Sequence, residues 1–214
     1  MPRAQRTNEK LLRAPQQARS RATLERVFAA MEARLAAAGP DALKVKDIAR
    51  EAGCSTGAIY ERFKDREALI VAFYAQLEVR IRSETETFFA AADLSALPLE
   101  VGIDAFVDFV FGVYARDGAL LVGLVALGRE FPSLRATDRR LIEFGAEKLE
   151  QFLTLKKDAI KRPDIAVMAE TIARILIGVL YHTISMAAGQ GADAEEIDRL
   201  RRECKCMARA YIAS

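Results

Sequence analysis

The sequence predicts an all-α fold of about nine helices, divided into a three-helix N-terminal unit and a larger C-terminal helical bundle. Apolar residues recur at helical spacing along most of the 214 residues, and no segment alternates in the way that is typical of a half-buried strand. The pairs Gly39-Pro40, Leu97-Pro98 and Phe131-Pro132 separate successive helical segments. A hydrophobic content of 51% is enough for a sizeable core in one or two domains.

The segment from Asp47 to Leu69 predicts two short helices joined by a tight turn. Four apolar residues share one narrow face of the first short helix: Val45, Ile48, Ala49 and Ala52. Gly53 follows them, where a left-handed backbone is easiest for glycine. Ser55 can cap the second helix, which Ile59 and Phe63 would pack against the first. This is the layout of a helix-turn-helix, whose second helix meets base edges in the major groove of DNA.

Further helices are predicted on both sides of this motif. One ends at Gly39-Pro40, and a long one begins after Asp65 as its N-cap and runs to about Ala92. The remaining helices are expected over 99–114, 118–130, 133–157 and 165–186, followed by a final helix that carries residues 197–211. Pro163 lies in the charged turn that precedes 165–186.

The segment from about Arg21 to Leu69 resembles the DNA-binding domain of the tetracycline-repressor (TetR) family of bacterial regulators. The residues that carry the resemblance are Gly39, Val45, Asp47, Ile48, Ala49, Ala52, Gly53, Ser55, Gly57, Tyr60, Phe63, Glu67 and Leu69. The chain departs from the family's usual pattern at Lys44, where threonine or serine is usual, and at Arg66, where lysine is usual. The resemblance implies that residues 21–66 bind DNA and that residues 67–214 bind a small effector and form a dimer.

Charge is distributed unevenly, as expected if only one end of the chain meets DNA phosphates. Residues 1–66 carry 14 Lys and Arg against 8 Asp and Glu, whereas the rest carries 18 against 22. Residues 1–20 are expected to form a flexible basic arm, either a minor-groove reader or a disordered tail. The expected DNA contacts are to phosphates from Lys44, Lys46, Tyr60, Arg62, Lys64 and Arg66, and to bases from Thr56, Gly57 and Ala58, beside the capping Ser55.

The last two predicted helices favour a homodimer. Residues 165–186 are apolar on every face, and a helix of that kind has to be covered on both sides. Paired with the final helix from each chain, it would form a four-helix bundle across a two-fold axis. The expected interface residues are Ile172, Ile175, Val179, Ile197, Leu200, Cys204, Met207 and Tyr211. A two-fold dimer would bind double-stranded DNA at a palindromic operator.

Aromatic residues of the middle helices predict a mostly apolar effector cavity. The expected lining is Phe88, Phe106, Phe109, Tyr114, Leu121, Leu124, Phe144, Tyr181 and His182. No cofactor or metal is expected, because a single histidine without a cysteine partner makes no site. No catalytic residues are expected either, since the chain has no Gly-rich phosphate loop or nucleophile motif.

Three cysteines without framework spacing, and no apolar signal core, favour a cytoplasmic protein. The uncharged run from Ile175 to Ala192 is interpreted as a buried helix rather than a membrane span. The family resemblance, together with the predicted apolar cavity, implies a repressor that a small, largely apolar effector releases from DNA. Two alternatives stay open: a DNA-binding regulator that uses a protein partner or acts as an activator, and a helical ligand-binding protein with a vestigial DNA head.

Overall fold

The computed structural model describes residues 3–91, 96–186 and 193–214, with side chains from residue 19 onward except at residue 91. Within these residues every regular element is a helix, so the all-α prediction is confirmed. The α-helices are α1 Arg3–Ala38, α2 Val45–Glu51, α3 Thr56–Tyr60, α4 Arg66–Ala91, α5 Leu99–Leu127, α6 Pro132–Leu155, α7 Ile165–Met186 and α8 Ala194–Ala213. Short 3-10 helices lie at Pro40–Ala42 and Lys157–Ala159.

Helix α5 differs from the prediction, which placed one helix over 99–114 and another over 118–130. The structure has one continuous helix there, so the described residues form eight α-helices rather than about nine. Gly118 lies inside this helix because of packing: a Cβ atom at this position would lie 2.5 Å from Cδ1 of Ile184. The glycine therefore marks a close approach of α5 to α7 instead of a helix end.

Two boundaries also differ from expectation or fall outside the described residues. Helix α1 begins at Arg3, so the segment expected to be a flexible arm is helical over most of its length. Helix α4 is described as far as Ala91, and its predicted end at Ala92 lies outside the described residues. Part of the uncharged run 175–192 likewise falls outside them, because α7 is described to Met186.

The chain divides into two compact units, Met1–Phe73 and Tyr74–Ser214, with the boundary inside α4. In the first unit α1 packs on α2, and α2 packs on α3. Phe28 and Phe73 meet edge to face, with ring centroids 5.7 Å apart. The other principal core residues of this unit are Met31, Leu35, Leu43, Ile48, Ile59, Leu69 and Ile70.

Arginines hold the loops of the first unit in place. Arg26 donates from Nε to the carbonyl of Ala52 at 2.9 Å, and Arg34 donates from Nε to the carbonyl of Ala42 at 2.7 Å. Arg34 also pairs with Asp47 at 3.3 Å. Part of the unit's excess positive charge therefore satisfies its own carbonyls at helix ends, where no intrahelical donor exists.

In the second unit α5 packs against α6, α7 and α8. Its approach to α6 is close at Gly102, which lies against the buried ring of Phe152. Both α5 and α7 are long and apolar enough to cross a membrane by length and composition, with 56% and 33% of the relevant windows buried. Most of the α5 window is thus core, whereas α7 leaves much apolar surface open in the single chain.

A charged cluster joins α4 to α5. Asp117 is 3% exposed and accepts from Arg80 at 2.7 Å and from Arg116 at 2.7 Å. Arg116 reaches back to Glu84 at 2.5 Å. A buried carboxylate is tolerated only when it is paired in this way. Asp117, which precedes Gly118 in the sequence, therefore fixes the position of α5 along α4.

Candidate DNA-binding face and ligand cavity

The turn between α2 and α3 has the geometry expected from its residues. Gly53 has φ +64°, in the left-handed region that favours glycine. The Oγ atom of Ser55 accepts a hydrogen bond from the backbone N–H of Ala58 at 3.1 Å, so Ser55 caps α3 as predicted. Ile59 is 3% exposed and anchors the helix from below. The turn glycine, the serine cap and the burial of Ile59 together set the direction in which α3 points.

The outer face of α3 is open to solvent. Thr56 and Gly57 are exposed, Tyr60 is 50% exposed, and Ala58 is half-buried. An exposed tyrosine on a short helix can donate a hydrogen bond to a phosphate of the nucleic-acid backbone, while small residues permit close approach to base edges. The structure thus keeps the predicted base-contacting residues on an accessible surface.

Four basic residues near α3 have exposed side chains: Lys44, Lys46, Arg62 and Lys64. The Nζ atom of Lys64 lies 3.6 Å from the carboxylate of Asp65. Arg62 donates to the hydroxyl of Ser20. Lys44 is the N-cap residue of α2 but makes no side-chain cap, because an ammonium group cannot accept a hydrogen bond from the N–H groups of the helix start.

Arg66 has a different environment from the one expected of a phosphate contact. It is half-buried, and its Nε donates to the carbonyl of Leu43 at 3.1 Å. The neighbouring Asp65 caps α4 by accepting from the N–H of Ala68 at 2.8 Å, as predicted. Arg66 therefore ties the start of α4 to the loop before α2.

The second unit contains an apolar cavity of about 70 Å³. Of the residues predicted to line it, Phe106, Phe109, Tyr114 and Leu121 do so. This volume is well below the roughly 300–1,000 Å³ of a typical ligand pocket. Side chains would therefore have to move apart to admit a larger molecule.

The other predicted effector residues lie elsewhere. Phe88 stacks on Phe109 with ring centroids 4.6 Å apart, outside the lining. Phe144 is buried beneath the guanidinium of Arg82, 3.8 Å from the ring centroid. Tyr181 and His182 do not line the cavity, and His182 is exposed on α7. Some of the predicted residues line the cavity, whereas others lie in the core or on the surface. The aromatic type of a residue alone therefore did not predict its location.

Three polar groups face the apolar cavity, and the sequence prediction named only one of them. Thr85 is buried and donates its hydroxyl to the carbonyl of Ile81 at 2.8 Å. Burial raises the pKa of the Asp138 carboxyl above its ordinary value. Burial, and to a lesser extent the Asp138 charge, also raises the pKa of Tyr114. The missed signal was the i, i+4 pair Asp138 and Ile142 on α6, which places a carboxyl on an apolar face.

A larger basic concavity adjoins this cavity. It encloses about 420 Å³ and shares Asp138 and Ile142 with the apolar cavity as common wall. Leu124, predicted as an effector residue, lies here. Its charged lining is Arg129, Arg135, Asp138, Arg139 and Arg174. Among the described residues no group of His, Cys, Asp and Glu is arranged to hold a metal ion.

Helix α7 presents two apolar stripes. Its buried stripe includes Ile172, at 0% exposure, while Ile175 is 40% exposed. A Cβ atom added at exposed Gly178 would meet no atom within 4 Å. Of the expected interface residues, Val179, Ile197, Leu200, Met207 and Tyr211 are half-buried. Ile172 and Cys204 are buried in the chain's own core, which leaves them no open surface to offer a partner.

Comparisons with known proteins agree with these features. Residues 28–73 match the family profile of bacterial regulatory proteins of the tetR family, and residues 98–212 match that of the tetracyclin repressor-like C-terminal domain. No curated protein sequence matches the chain at a significant level.

Several solved structures share the fold over nearly the whole chain. A TetR-family regulator from Mesorhizobium loti is 20% identical, with a TM-score of 0.71, and the match covers 91% of this chain and 97% of that one. FadR from Bacillus subtilis, in complex with stearoyl-CoA, is 17% identical, with a TM-score of 0.65 and coverage of 88% and 98%. GusR from Salmonella enterica is 21% identical, with a TM-score of 0.66 and coverage of 90% and 96%.

Since the two profiles together span both the helix-turn-helix and most of the C-terminal bundle, the chain belongs to the TetR family of DNA-binding transcriptional regulators.

Proposed function

We propose that this regulator is a repressor, that it binds a palindromic operator as a homodimer, and that a small, largely apolar effector releases it. The observation that carries the proposal is the pairing of an exposed, capped α3 in one unit with an apolar cavity in the other. The first is a surface for reading DNA, and the second is a separate place for a ligand. Two distinct sites are the minimum that ligand-controlled binding needs.

On the DNA side, Tyr60 and Lys64 bind phosphates and set the register of α3, with Lys44 and Lys46 in support. All four side chains are exposed. Thr56 and Gly57 lie against base edges, where they read by methyl contact and close approach. Because Arg66 is bonded to the carbonyl of Leu43, it contributes mainly by holding the loop and only secondarily by its charge.

The homodimer forms through the exposed stripe of α7 together with α8. Ile175 and the half-buried Val179, Leu200 and Met207 supply apolar contact area. Gly178 has open space around it, so a partner helix can approach closely at that point. Pairing across a two-fold axis presents two α3 helices to half-sites about 34–36 Å apart, which is one turn of DNA.

On the effector side, the apolar cavity takes the ligand's apolar part. Its polar groups, Thr85, Tyr114 and Asp138, orient the ligand. The Bacillus subtilis FadR relative was solved with stearoyl-CoA, and this supports a ligand with a long apolar portion. Since the cavity is only about 70 Å³, ligand entry widens it and thereby favours a second conformation of the bundle.

The test begins with DNA selected from random duplexes by the purified protein and with the DNA flanking its own gene. We expect an inverted repeat to be enriched. Lys64→Ala then weakens binding to all sequences alike and lowers the salt slope of log K by roughly 1 for each subunit bound. Lys157→Ala, an exposed lysine of the other unit, is the matched control and leaves affinity unchanged.

Each alternative has its own outcome in this assay. If no fragment gives a complex that resists competitor DNA, the DNA head is vestigial and the proposal fails. If an inverted repeat is bound but no lipophilic compound weakens the complex, the protein works without a small effector. Relaxed preference at one base pair in Lys64→Ala would contradict the phosphate role of Lys64, because a phosphate contact carries no sequence information.

A further inference from the structure

The basic concavity beside the apolar cavity is the feature that the proposed function leaves unexplained. Four arginines and one aspartate supply its charged lining. Arg135 and Arg139 lie one turn apart on α6, so both project toward the same side of that helix. Arg129 comes from the turn before α6, and Arg174 comes from α7. Three separate segments of the chain thus bring guanidinium groups to one concave surface.

Most of this positive charge is not neutralised by the protein. Among the described residues, no carboxylate lies within 4.0 Å of the guanidinium of Arg129, Arg135 or Arg139, whereas Arg174 pairs with Glu170 at 2.8 Å. The aliphatic part of Arg135 lies against Gly128, where a Cβ atom would come within 3.1 Å of its Cγ. Gly128 therefore lets the Arg135 side chain lie along the wall of the concavity.

The concavity has one acidic group among its four arginines. Asp138 is half-buried between the two cavities, and burial raises the pKa of its carboxyl. One carboxyl group against four guanidinium groups leaves the lining net basic. Tyr114 on α5 and Thr85 on α4 face the same apolar cavity with neutral hydroxyl groups.

We propose that the regulator's effector is an amphipathic anion, whose phosphate-bearing head lies among Arg129, Arg135 and Arg139 and whose aliphatic chain enters the apolar cavity past Ile142. This inference rests on the proposed function, because it names the class of ligand for the same effector site. The shared wall at Asp138 and Ile142 places head and tail next to each other.

The shapes of the two spaces support a chain with a large head. The apolar space, about 70 Å³, needs less widening for a slim alkyl chain than for a fused ring system, whereas the basic space is about 420 Å³. Guanidinium groups bind phosphate oxygens in a bidentate manner, and several of them match a group with more than one negative charge. A single carboxylate would leave most of these arginines unpaired.

The test measures direct binding by calorimetry with probes that share a twelve-carbon tail and differ in the head. Lauroyl-CoA and dodecyl phosphate distinguish a nucleotide-bearing head from a simple phosphate. Laurate carries a carboxylate, dodecanol no charge, and dodecyltrimethylammonium a positive charge. We expect one or both phosphate-bearing probes to bind at least tenfold more tightly than laurate, dodecanol and the cation.

The variant Arg135→Ala with Arg139→Ala is expected to weaken phosphate-probe binding about fivefold or more, the size expected for two partly solvated charge pairs. Lys157→Ala with Lys161→Ala removes the same net charge from exposed positions outside the concavity and leaves binding unchanged. Far-UV circular dichroism checks that both variants retain their helices. Dodecanol binding serves as a second readout and is unaffected by either pair.

Three results would overturn the inference: no binding of either phosphate probe, equal binding of dodecanol and the phosphate probes, or an equal loss in the two double variants. None of these depends on DNA. A protein that binds an inverted repeat and releases it with dodecanol as well as with lauroyl-CoA would keep the proposed function and refute the anionic head. A protein that binds lauroyl-CoA through Arg135 and Arg139 but binds no DNA would keep the anionic head and refute the proposed function.

Discussion

The contact between Gly102 and Phe152 gives a quantitative test of the packing of α5 against α6. An ideal Cβ atom at Gly102 would lie 2.1 Å from Cζ of Phe152 and 2.8 Å from both Cε atoms. Ordinary carbon contacts begin at 3.4 Å. The ring is 2% exposed, so it has no solvent-filled space into which to retreat. Gly102→Ala therefore overpacks the α5–α6 interface, at a cost of about 1–3 kcal/mol.

The same substitution also has a favourable effect, since alanine in a helix interior is better than glycine by about 0.8–1 kcal/mol. Gly112→Ala isolates that effect, because Gly112 lies on the same helix, is exposed, and has no atom within 4 Å of an added Cβ. We expect Gly112→Ala to be more stable than the wild type and Gly102→Ala to be less stable. The two should differ by about 1–3 kcal/mol, the overpacking cost alone.

Urea unfolding followed by far-UV circular dichroism measures both variants. Adding Phe152→Leu to Gly102→Ala should recover part of the loss, although Phe152→Leu alone is destabilising, because removal of the ring atoms relieves the overlap. Equal stability of the two glycine variants would refute the packing argument. So would strict additivity of the changes at Gly102 and Phe152.

Three further predictions concern charge and assembly. Asp117→Ala lowers the free energy of unfolding by about 1–3 kcal/mol, because Arg80 and Arg116 lose their buried partner, and urea unfolding measures it. Asp138→Asn raises the melting temperature at neutral pH. Since burial raises the pKa of this carboxyl, the wild type loses stability as the pH rises from the ordinary value of 3.8 through the folded-state value, and the variant's advantage disappears in acid. Ile175→Arg yields monomers in sedimentation and weakens operator binding at least tenfold; a variant that remained dimeric would contradict the α7 interface.

The sequence was most informative where structure is determined by neighbouring residues. Gly53, Ser55 and Asp65 each fix a backbone direction or a helix start through contacts within three residues, and the structure has all three as predicted. The family resemblance was read from the same stretch, and the profile matches confirm it. Helix caps and turn glycines of this kind can be predicted from the sequence without knowledge of the tertiary contacts.

The bundle was harder to predict because its decisive contacts join residues far apart in sequence. Gly118 was predicted to begin a new helix, but it lies within α5, where its packing depends on Ile184 of another helix. Phe144 looked like a cavity residue, but Arg82 covers its ring. Arg66 was predicted to contact phosphate, and the sequence did not show that its Nε also donates to the carbonyl of Leu43. In each case residue type was read correctly and its partner was not visible from spacing alone.

Helix α4 is the element through which an effector would act under the proposed function. Its first residue, Arg66, is bonded to the carbonyl of Leu43 in the DNA-binding unit, and farther along it contributes Ile81 and Thr85 to the apolar cavity. The helix has neither glycine nor proline between Arg66 and Ala91, so it lacks the residues at which helices usually kink. Under the proposed function, an effector that displaces Ile81 therefore acts on the same helix that begins at Arg66. A coupling of about 1–3 kcal/mol, typical of such systems, would lower operator affinity about 5- to 150-fold.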